Sequence, residues 1–305
     1  MSRAAFARRA PFPMERMIAY GAGPDGPGEG GGKVPPLSRR LLDGLDLLGG
    51  HLSAALERLL SGRHPYETVG WERALVDLEV LFGREVRPVL RESALLETEG
   101  RVRALLRDIR REDPFLQRWA ADSLLARCCY LLCRLLRPRV VLETGVAYGV
   151  SSAFILAALQ ENGRGELHSV DLPPLRPRAG RFWGIAVPER LRGRWRLHRG
   201  ASRRVLPGLL EELGEVDLFL HDSLHTLQNM RFELGAVWPR LRPGGAVLAD
   251  DVERNAAFAE LRGRGPLLWR VISDRERRPL HGPPAPVVFG LAVKPGSPAA
   301  PSARR

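Results

Sequence analysis

From Leu37 to Leu136 the apolar positions recur at helical spacing. Leu41, Leu42, Leu45, Leu48, Leu52 and Leu59 fall mostly three or four residues apart, as on one face of a helix. Residues 71–82 and 93–109 repeat the pattern. A fourth helix is predicted from Asp113-Pro114, an N-cap and first-turn pair, to Leu136, where Pro138 stops it. After Pro138 the period changes. Seven short β-branched or apolar runs predict strands at 139–143, 167–171, 194–199, 216–221, 245–250, 268–273 and 287–294. Helices are predicted between them at 150–161, 202–213, 227–240 and 255–262. The connection from Asp171 to Leu191 is long and Pro-rich. Strands alternating with helices give an α/β fold with a parallel sheet and helices on both faces. No helix is predicted between Ser273 and Val287, so the last strand is free to return antiparallel. The domain plan is a disordered arm at 1–36, a helical cap or oligomerisation layer at 37–136, an α/β domain at 137–294 and a disordered tail at 295–305.

Charge and cysteine usage then narrow the function classes. Lys and Arg total 47 against 35 Asp and Glu, a formal net charge of +12, yet only Lys33 and Lys294 are lysine. The arginines are spread along the chain with no interleaved aromatic platform, which weighs against nucleic acid as the partner. An RNA- or nucleic-acid-modifying enzyme, or a nucleic-acid-binding protein, stays an alternative. The most apolar long run, 119–136, is broken by Asp122, Arg127 and Arg134, so no membrane span is expected. The first 20 residues hold no continuous apolar stretch of the secretory kind. Cys128, Cys129 and Cys133 form no CxxC pair. They read as small buried side chains in a reducing compartment, and a cytoplasmic location is expected.

The chemistry-bearing residues lie where strands end. The run Glu143-Thr-Gly145-Val-Ala-Tyr-Gly149-Val-Ser151-Ser152 is a strand ending in a carboxylate, then a Gly-rich turn that opens a helix. Such a turn lets backbone approach a ligand and offers unpaired N–H groups. A dinucleotide site prefers G-x-G-x-x-G, but Ala147 stands at the second glycine and Glu143 would repel a pyrophosphate. An NAD(P)-linked oxidoreductase is therefore the weaker alternative. Asp171 ends the second strand, where a carboxylate can accept both hydroxyls of a ribose. His221-Asp222-Ser223-Leu-His225-Thr226 follows the fourth strand and can bind metal or move protons. Asp250 and Asp251 end the fifth strand and repel each other unless a partner compensates. Asp222, Asp250 and Asp251 would share one sheet edge, and three hard oxygen ligands suit Mg²⁺ or Ca²⁺.

The ordered set from Glu143 to Asp251 resembles the class I S-adenosylmethionine-dependent methyltransferases. The resemblance is to a bacterial branch with E-T-G-V-A-x-G-x-S-S, H-D-S-x-H-T and R-P-G-G…D-D. Its members are described as small-molecule O-methyltransferases or cephalosporin-hydroxylase-like proteins. It implies a Rossmann-like seven-stranded methyltransferase sheet with an antiparallel last strand and an N-terminal helical cap. It implies S-adenosylmethionine as cofactor, with Glu143, Gly145, Gly149 and Ser151 at its methionine end. Asp171 would hold the ribose, Gly200 and Ser202 would border the adenine, and His221 and Asp222 would face the methyl group. Ala201 stands where many relatives carry an Asp for the adenine amino group. Metal-dependent cousins place their carboxylates where Asp222, Asp250 and Asp251 stand. The expected reaction is methylation of a small-molecule hydroxyl. A divalent ion would lower the hydroxyl's pKa, or His225 would take its proton, with Asp222 beside it. Arg176, Arg178 and Arg181 are candidates to meet an acidic acceptor. A homo-oligomer through the N-terminal helices is expected as the protein partner.

Overall fold

The computed structural model describes residues 36–60, 62–109, 120–172, 177–275, 279–280 and 285–296. In chain order the elements are α1 (Pro36–Leu60), β1 (Thr68–Val69), α2 (Trp71–Phe82), α3 (Ser93–Ile109), α4 (Ser123–Leu136), β2 (Val140–Thr144), α5 (Val150–Asn162) and β3 (Glu166–Asp171). There follow β4 (Trp195–Arg199), α6 (Ser202–Leu213), β5 (Val216–His221), α7 (Leu227–Arg240), β6 (Leu241–Asp250), β7 (Leu268–Arg275) and β8 (Pro286–Val293). The sheet order is β1-β7-β8-β6-β5-β2-β3-β4. Strands β4, β3, β2, β5 and β6 run parallel, and β8 lies antiparallel between β6 and β7. Leaving out the two-residue β1, this is the seven-stranded Rossmann-like methyltransferase sheet, with its last strand antiparallel. Strand order reverses between β2 and β5, which puts the ligand crevice of an open α/β sheet beyond their carboxyl ends.

Strict alternation along the strands builds two cores. Val141, Leu218, Leu220, Ala246 and Leu248 face a flank made by α2 to α5. Leu142, Phe219, Val247 and Ala249 face the flank made by α6 and α7. Helix α5 is buried almost all round because it lies between the sheet and α3 and α4. Cys128, Cys129 and Cys133 are fully buried in α4, and burial pushes all three thiols up. They pack as small apolar side chains. Packing therefore runs across residues 136 and 137, where a boundary between helical cap and sheet domain was expected. From Pro36 onward the chain is one compact unit.

Three elements differ from the sequence reading. β1 was not expected: Thr68 and Val69 pair parallel with Val271 and Ile272, and two residues carry no readable period. The helix expected at 255–262 is instead two 3₁₀ segments, Val252–Arg254 and Ala259–Arg264. Asn255 explains the break. Its Oδ1 accepts from Ala257 N at 3.0 Å and its Nδ2 donates to His225 O at 3.2 Å, a local alternative to helical bonding. The helix expected from Asp113 starts at Ser123, after Asp122 in extended backbone (φ −65°, ψ 154°). The first part of that expected helix lies outside the described residues, as do the expected arm (except Pro36) and tail (except Pro295 and Gly296).

At the amino edge of the sheet, Asp217 accepts from the backbone N–H groups of Arg139 and Val140, both at 2.8 Å, and from Arg242 Nε at 2.5 Å. This pins the ends of β2, β5 and β6 there and leaves the carboxyl edge to carry the chemistry.

Candidate active site

The turn after β2 is held in a conformation that side chains resist. Gly145 has φ +88°, and a Cβ there would sit 1.9 Å from Asp222 O. Gly149 has φ +75° and caps α5. Between them Ala147 also adopts a left-handed φ, +43°, at the position of the missing second glycine. Glu143 sits under this turn, fully buried. It accepts from Ser151 Oγ at 2.5 Å, Ser152 Oγ at 2.6 Å and Ser169 Oγ at 2.7 Å. Burial raises its pKa to about 6, and the three hydroxyls oppose that rise. Glu143 and Ser151 thus spend their polar atoms on each other and on the turn. They shape the cradle from behind and do not line it.

Asp171 lies at the open end of β3. Its Oδ1 accepts from Leu172 N at 2.9 Å, and its Oδ2 from Ala147 N at 3.2 Å and Trp183 Nε1 at 2.8 Å. Burial raises its pKa to about 6, against the pull of these donors. The chain after Trp183 lies along the glycine turn. Gly184 N donates to Ala147 O at 2.9 Å and Ala186 N to Tyr148 O at 2.8 Å. Arg101 Nη1 fastens this strap from α3 through Ala186 O at 2.7 Å. Gly200 follows β4 with φ +147°, and its N–H donates to Asp171 O at 2.9 Å. Ser202 opens α6, with its Oγ 3.4 Å from Asn229 Oδ1. Of the three arginines singled out in this connection, Arg181 lies with its guanidinium 4.7 Å from the centre of the Phe182 ring. Arg176 and the side chain of Arg178 lie outside the described residues.

Beyond β5 the arrangement departs from the sequence reading. His221 is fully buried and does not face an acceptor. Its Nδ1 is 2.6 Å from Glu233 Oε2. Glu233, on α7, also accepts from Thr144 Oγ1 at 2.6 Å, Ser223 Oγ at 2.8 Å and Asn229 Nδ2 at 2.9 Å. Burial would raise this carboxyl, but the charge and hydrogen bond of His221 outweigh it and hold the pKa at about 2. The hub ties β2, β5 and the loop between β5 and α7 to one point. Nε2 of His221 and Nδ1 of His225 are buried with no hydrogen-bond partner among the described residues. The two rings meet edge-on at 5.3 Å.

Asp222, His225 and Asp250 converge, with one ligand atom of each lying within 4.8 Å of the others. Asp251 was expected as the third metal ligand, but it has φ +50° and binds Arg254 Nε at 2.6 Å. His225 takes its place in the cluster. Its Nε2 stands 3.9 Å from Asp222 Oδ1 and 3.8 Å from Asp251 Oδ2, too far to hydrogen-bond either. Burial pushes His225 down to about 4, so its imidazole is neutral at pH 7. Burial and then the neighbouring carboxylates, Asp122 at the start of α4 among them, push Asp222 and Asp250 well above the usual carboxylate range. Two carboxyls held this way need a shared proton or a cation.

Three contributors went unnoticed in the sequence: Glu233, Trp183 and Asp122. Glu233 had a signal. It falls on the buried face of α7 with Met230, Leu234 and Val237, and a carboxylate on such a face needs buried partners. Trp183 and Asp122 had none, because each acts across a non-local contact.

With this geometry in view, comparisons with known proteins give one family and a set of folds. Residues 142–252 match a family model described as a methyltransferase domain. The matched stretch runs from β2 to just past β6 and contains the site residues named above except Arg101, Asp122 and Arg254. No curated protein sequence matches the chain. Among solved structures it is similar to the O-methyltransferase TomG of Streptomyces achromogenes, involved in tomaymycin synthesis and solved with S-adenosylmethionine. Identity is 19%, over 73% of this chain and 96% of that one, with a TM-score of 0.47. It is also similar to an O-methyltransferase of Bacillus cereus solved with S-adenosylhomocysteine, at 16% identity, 67% and 91% coverage and a TM-score of 0.49.

Proposed function

We propose that this methyltransferase moves the methyl group of S-adenosylmethionine to a hydroxyl of a small molecule. We further propose that Asp222, Asp250 and His225 hold a divalent cation beside the reacting groups. The observation that carries this reading is the cluster itself: two carboxyls forced together with a neutral imidazole, at the sheet's switch point, next to the glycine turn. The bacterial small-molecule branch, with its cephalosporin-hydroxylase-like members, is the setting this reading assumes. Among the described residues no helix is long and apolar enough to cross a membrane.

The residues divide the work. Gly145 and Gly149 let backbone approach the methionine end of the cofactor, on a turn that Glu143, Ser151 and Ser152 hold in shape. Asp171 accepts the ribose hydroxyls once the Trp183 indole releases it. Gly200 and Ser202 border the adenine, and Ala201 supplies no side-chain acceptor for its amino group. The sulfonium is a cation, and the negative edge made by Asp222 and Asp250 favours it. Methyl transfer needs the acceptor oxygen in line with the sulfur–methyl bond, so rigid positioning is the protein's main task. The Glu233 hub provides it by fixing the loop from Asp222 to His225.

The donor set fits a metal. Carboxylate oxygens and a neutral imidazole bind hard and borderline divalent ions such as Mg²⁺ or Mn²⁺. When bound, such an ion lowers the pKa of a coordinated hydroxyl. His225 fits the role of ligand better than that of base, because burial makes it a weak proton acceptor.

Isothermal titration with S-adenosylhomocysteine, followed by methyl-transfer assays over a panel of phenols and sugars with Mg²⁺ or EDTA, tests both halves. Failure to bind S-adenosylhomocysteine would defeat the reading as a whole. Full activity in EDTA would defeat the metal half alone.

A further inference from the structure

The longest helix, α1, is turned the unusual way round. Its acidic and small residues face the protein. Asp43 pairs with Arg204 (3.0 Å) and Arg199 (3.8 Å), and Asp46 also pairs with Arg204. Glu57 accepts from Leu227 N at 2.8 and 3.0 Å. A Cβ on Gly50 would lie 3.2 Å from the Leu224 side chain. The opposite face is leucine. Leu41, Leu42, Leu45, Leu48, Leu52, Leu56 and Leu59 are 42–83% exposed. An amphipathic helix normally buries its apolar stripe, and a contiguous apolar strip of this size marks a contact surface.

We infer that this leucine strip is a two-fold interface at which α1 of one copy packs against α1 of a second copy of the same chain. Spacing and area both point to that occupant. Leu41, Leu45, Leu48, Leu52 and Leu59 follow the alternating four- and three-residue steps of a coiled-coil seam, with Ala55 at the intervening position. Such a seam is self-complementary, as a two-fold interface must be. At roughly 100 Å² per leucine, seven of them present about 700 Å² per copy, close to the roughly 800 Å² per partner of a standard stable interface. The seam is also coupled to the site. The other face of α1 holds the loop from Leu224 to Leu227, so pairing would brace that loop from one helix diameter away, about 10 Å.

Analytical ultracentrifugation of the full chain between about 1 and 50 µM tests this. The expected result is twice the chain mass for the natural protein and a single chain mass for Leu48→Glu/Leu52→Glu, with unchanged far-ultraviolet circular dichroism. If that variant does not fold, Leu48→Ala/Leu52→Ala keeps helix propensity and is expected to weaken dimerisation at least tenfold. A natural chain that stays monomeric at 50 µM would overturn the inference. So would a folded Glu variant that stays dimeric, or a folded Ala variant that dimerises as well as the natural chain. A natural chain that is monomeric and co-sediments with phosphatidylcholine vesicles would assign the strip to a lipid surface instead.

Discussion

Replacing Trp183 by Phe isolates one hydrogen bond at the proposed ribose site. The indole N–H donates to Asp171 Oδ2 at 2.8 Å, the carboxylate that the ribose hydroxyls need. At pH 7.5 Asp171, with a pKa of about 6, is ionised. A hydrogen bond to a charged group contributes about 1.5–3 kcal/mol. Phe keeps most of the ring packing and deletes the donor, so cofactor no longer has to displace it. Part of that energy is already lost to solvent at this half-open site, so a gain of about 1–2 kcal/mol is expected. That corresponds to roughly 5–30-fold tighter binding of S-adenosylhomocysteine. Isothermal titration of the two proteins at pH 7.5 measures it directly. Tryptophan fluorescence gives an independent reading, since the spectral change on ligand binding should shrink in the variant. An affinity within twofold of the natural protein would show that the strap does not compete for Asp171. Binding weakened more than fivefold would show that Trp183 holds the cofactor.

Other consequences concern protons and metal. Asp171 titrates near 6, so S-adenosylhomocysteine affinity should fall about tenfold between pH 7.5 and 5, read by titration across that range, and pH-independent binding would remove Asp171 from the site. Glu233 is held at about 2 against an ordinary 4.5, so its contribution to stability is complete above pH 4.5 and is lost as pH falls toward 2. Glu233→Gln should therefore cost about 3 kcal/mol at pH 7, with the deficit shrinking in denaturant melts as pH approaches 3. Asp250→Asn should weaken Mn²⁺ binding at least tenfold by electron paramagnetic resonance while leaving S-adenosylhomocysteine affinity within threefold. Asp251→Asn, which alters only the residue paired with Arg254, should leave Mn²⁺ binding within threefold.

Much of this was legible because local rules dominate the sheet. Strands β2 to β8 end within a few residues of their predicted limits, and β5 matches at both ends, since apolar runs bounded by turns need no tertiary information. The glycine turn and Asp171 were equally readable from position alone. The metal-type cluster was half readable. Asp222 and Asp250 follow from strand ends, but the choice between His225 and Asp251 depends on a left-handed φ at Asp251 and on Arg254, three residues on. The orientation of α1 was not readable. Its leucine periodicity predicts a helix but not which face meets the protein, and that face is set by Arg199, Arg204 and Leu227, more than a hundred residues away.

The charge distribution also separates the two cofactor classes considered from the sequence. The net charge of +12 would favour an anionic ligand if it were focused at the site. It is not. At the carboxyl edge Asp222 and Asp250 meet Asp122 and Asp251, and Glu143 lies beneath the turn. Among the described residues, Asp251 pairs with an arginine, while Glu143 accepts from three hydroxyls. Like charges a few ångströms apart in a poorly solvated setting raise one another's pKa. A pyrophosphate brought to this edge would add negative charge to that field. A sulfonium or a divalent ion would discharge it. Binding of either cation should therefore release protons from the Asp222–Asp250 pair, and isothermal titration with S-adenosylmethionine or with Mg²⁺, each run in two buffers of different ionisation enthalpy, would count them. Zero protons released, on both cofactor and metal binding, would mean that the pair is already ionised and that this electrostatic account of cofactor choice is wrong.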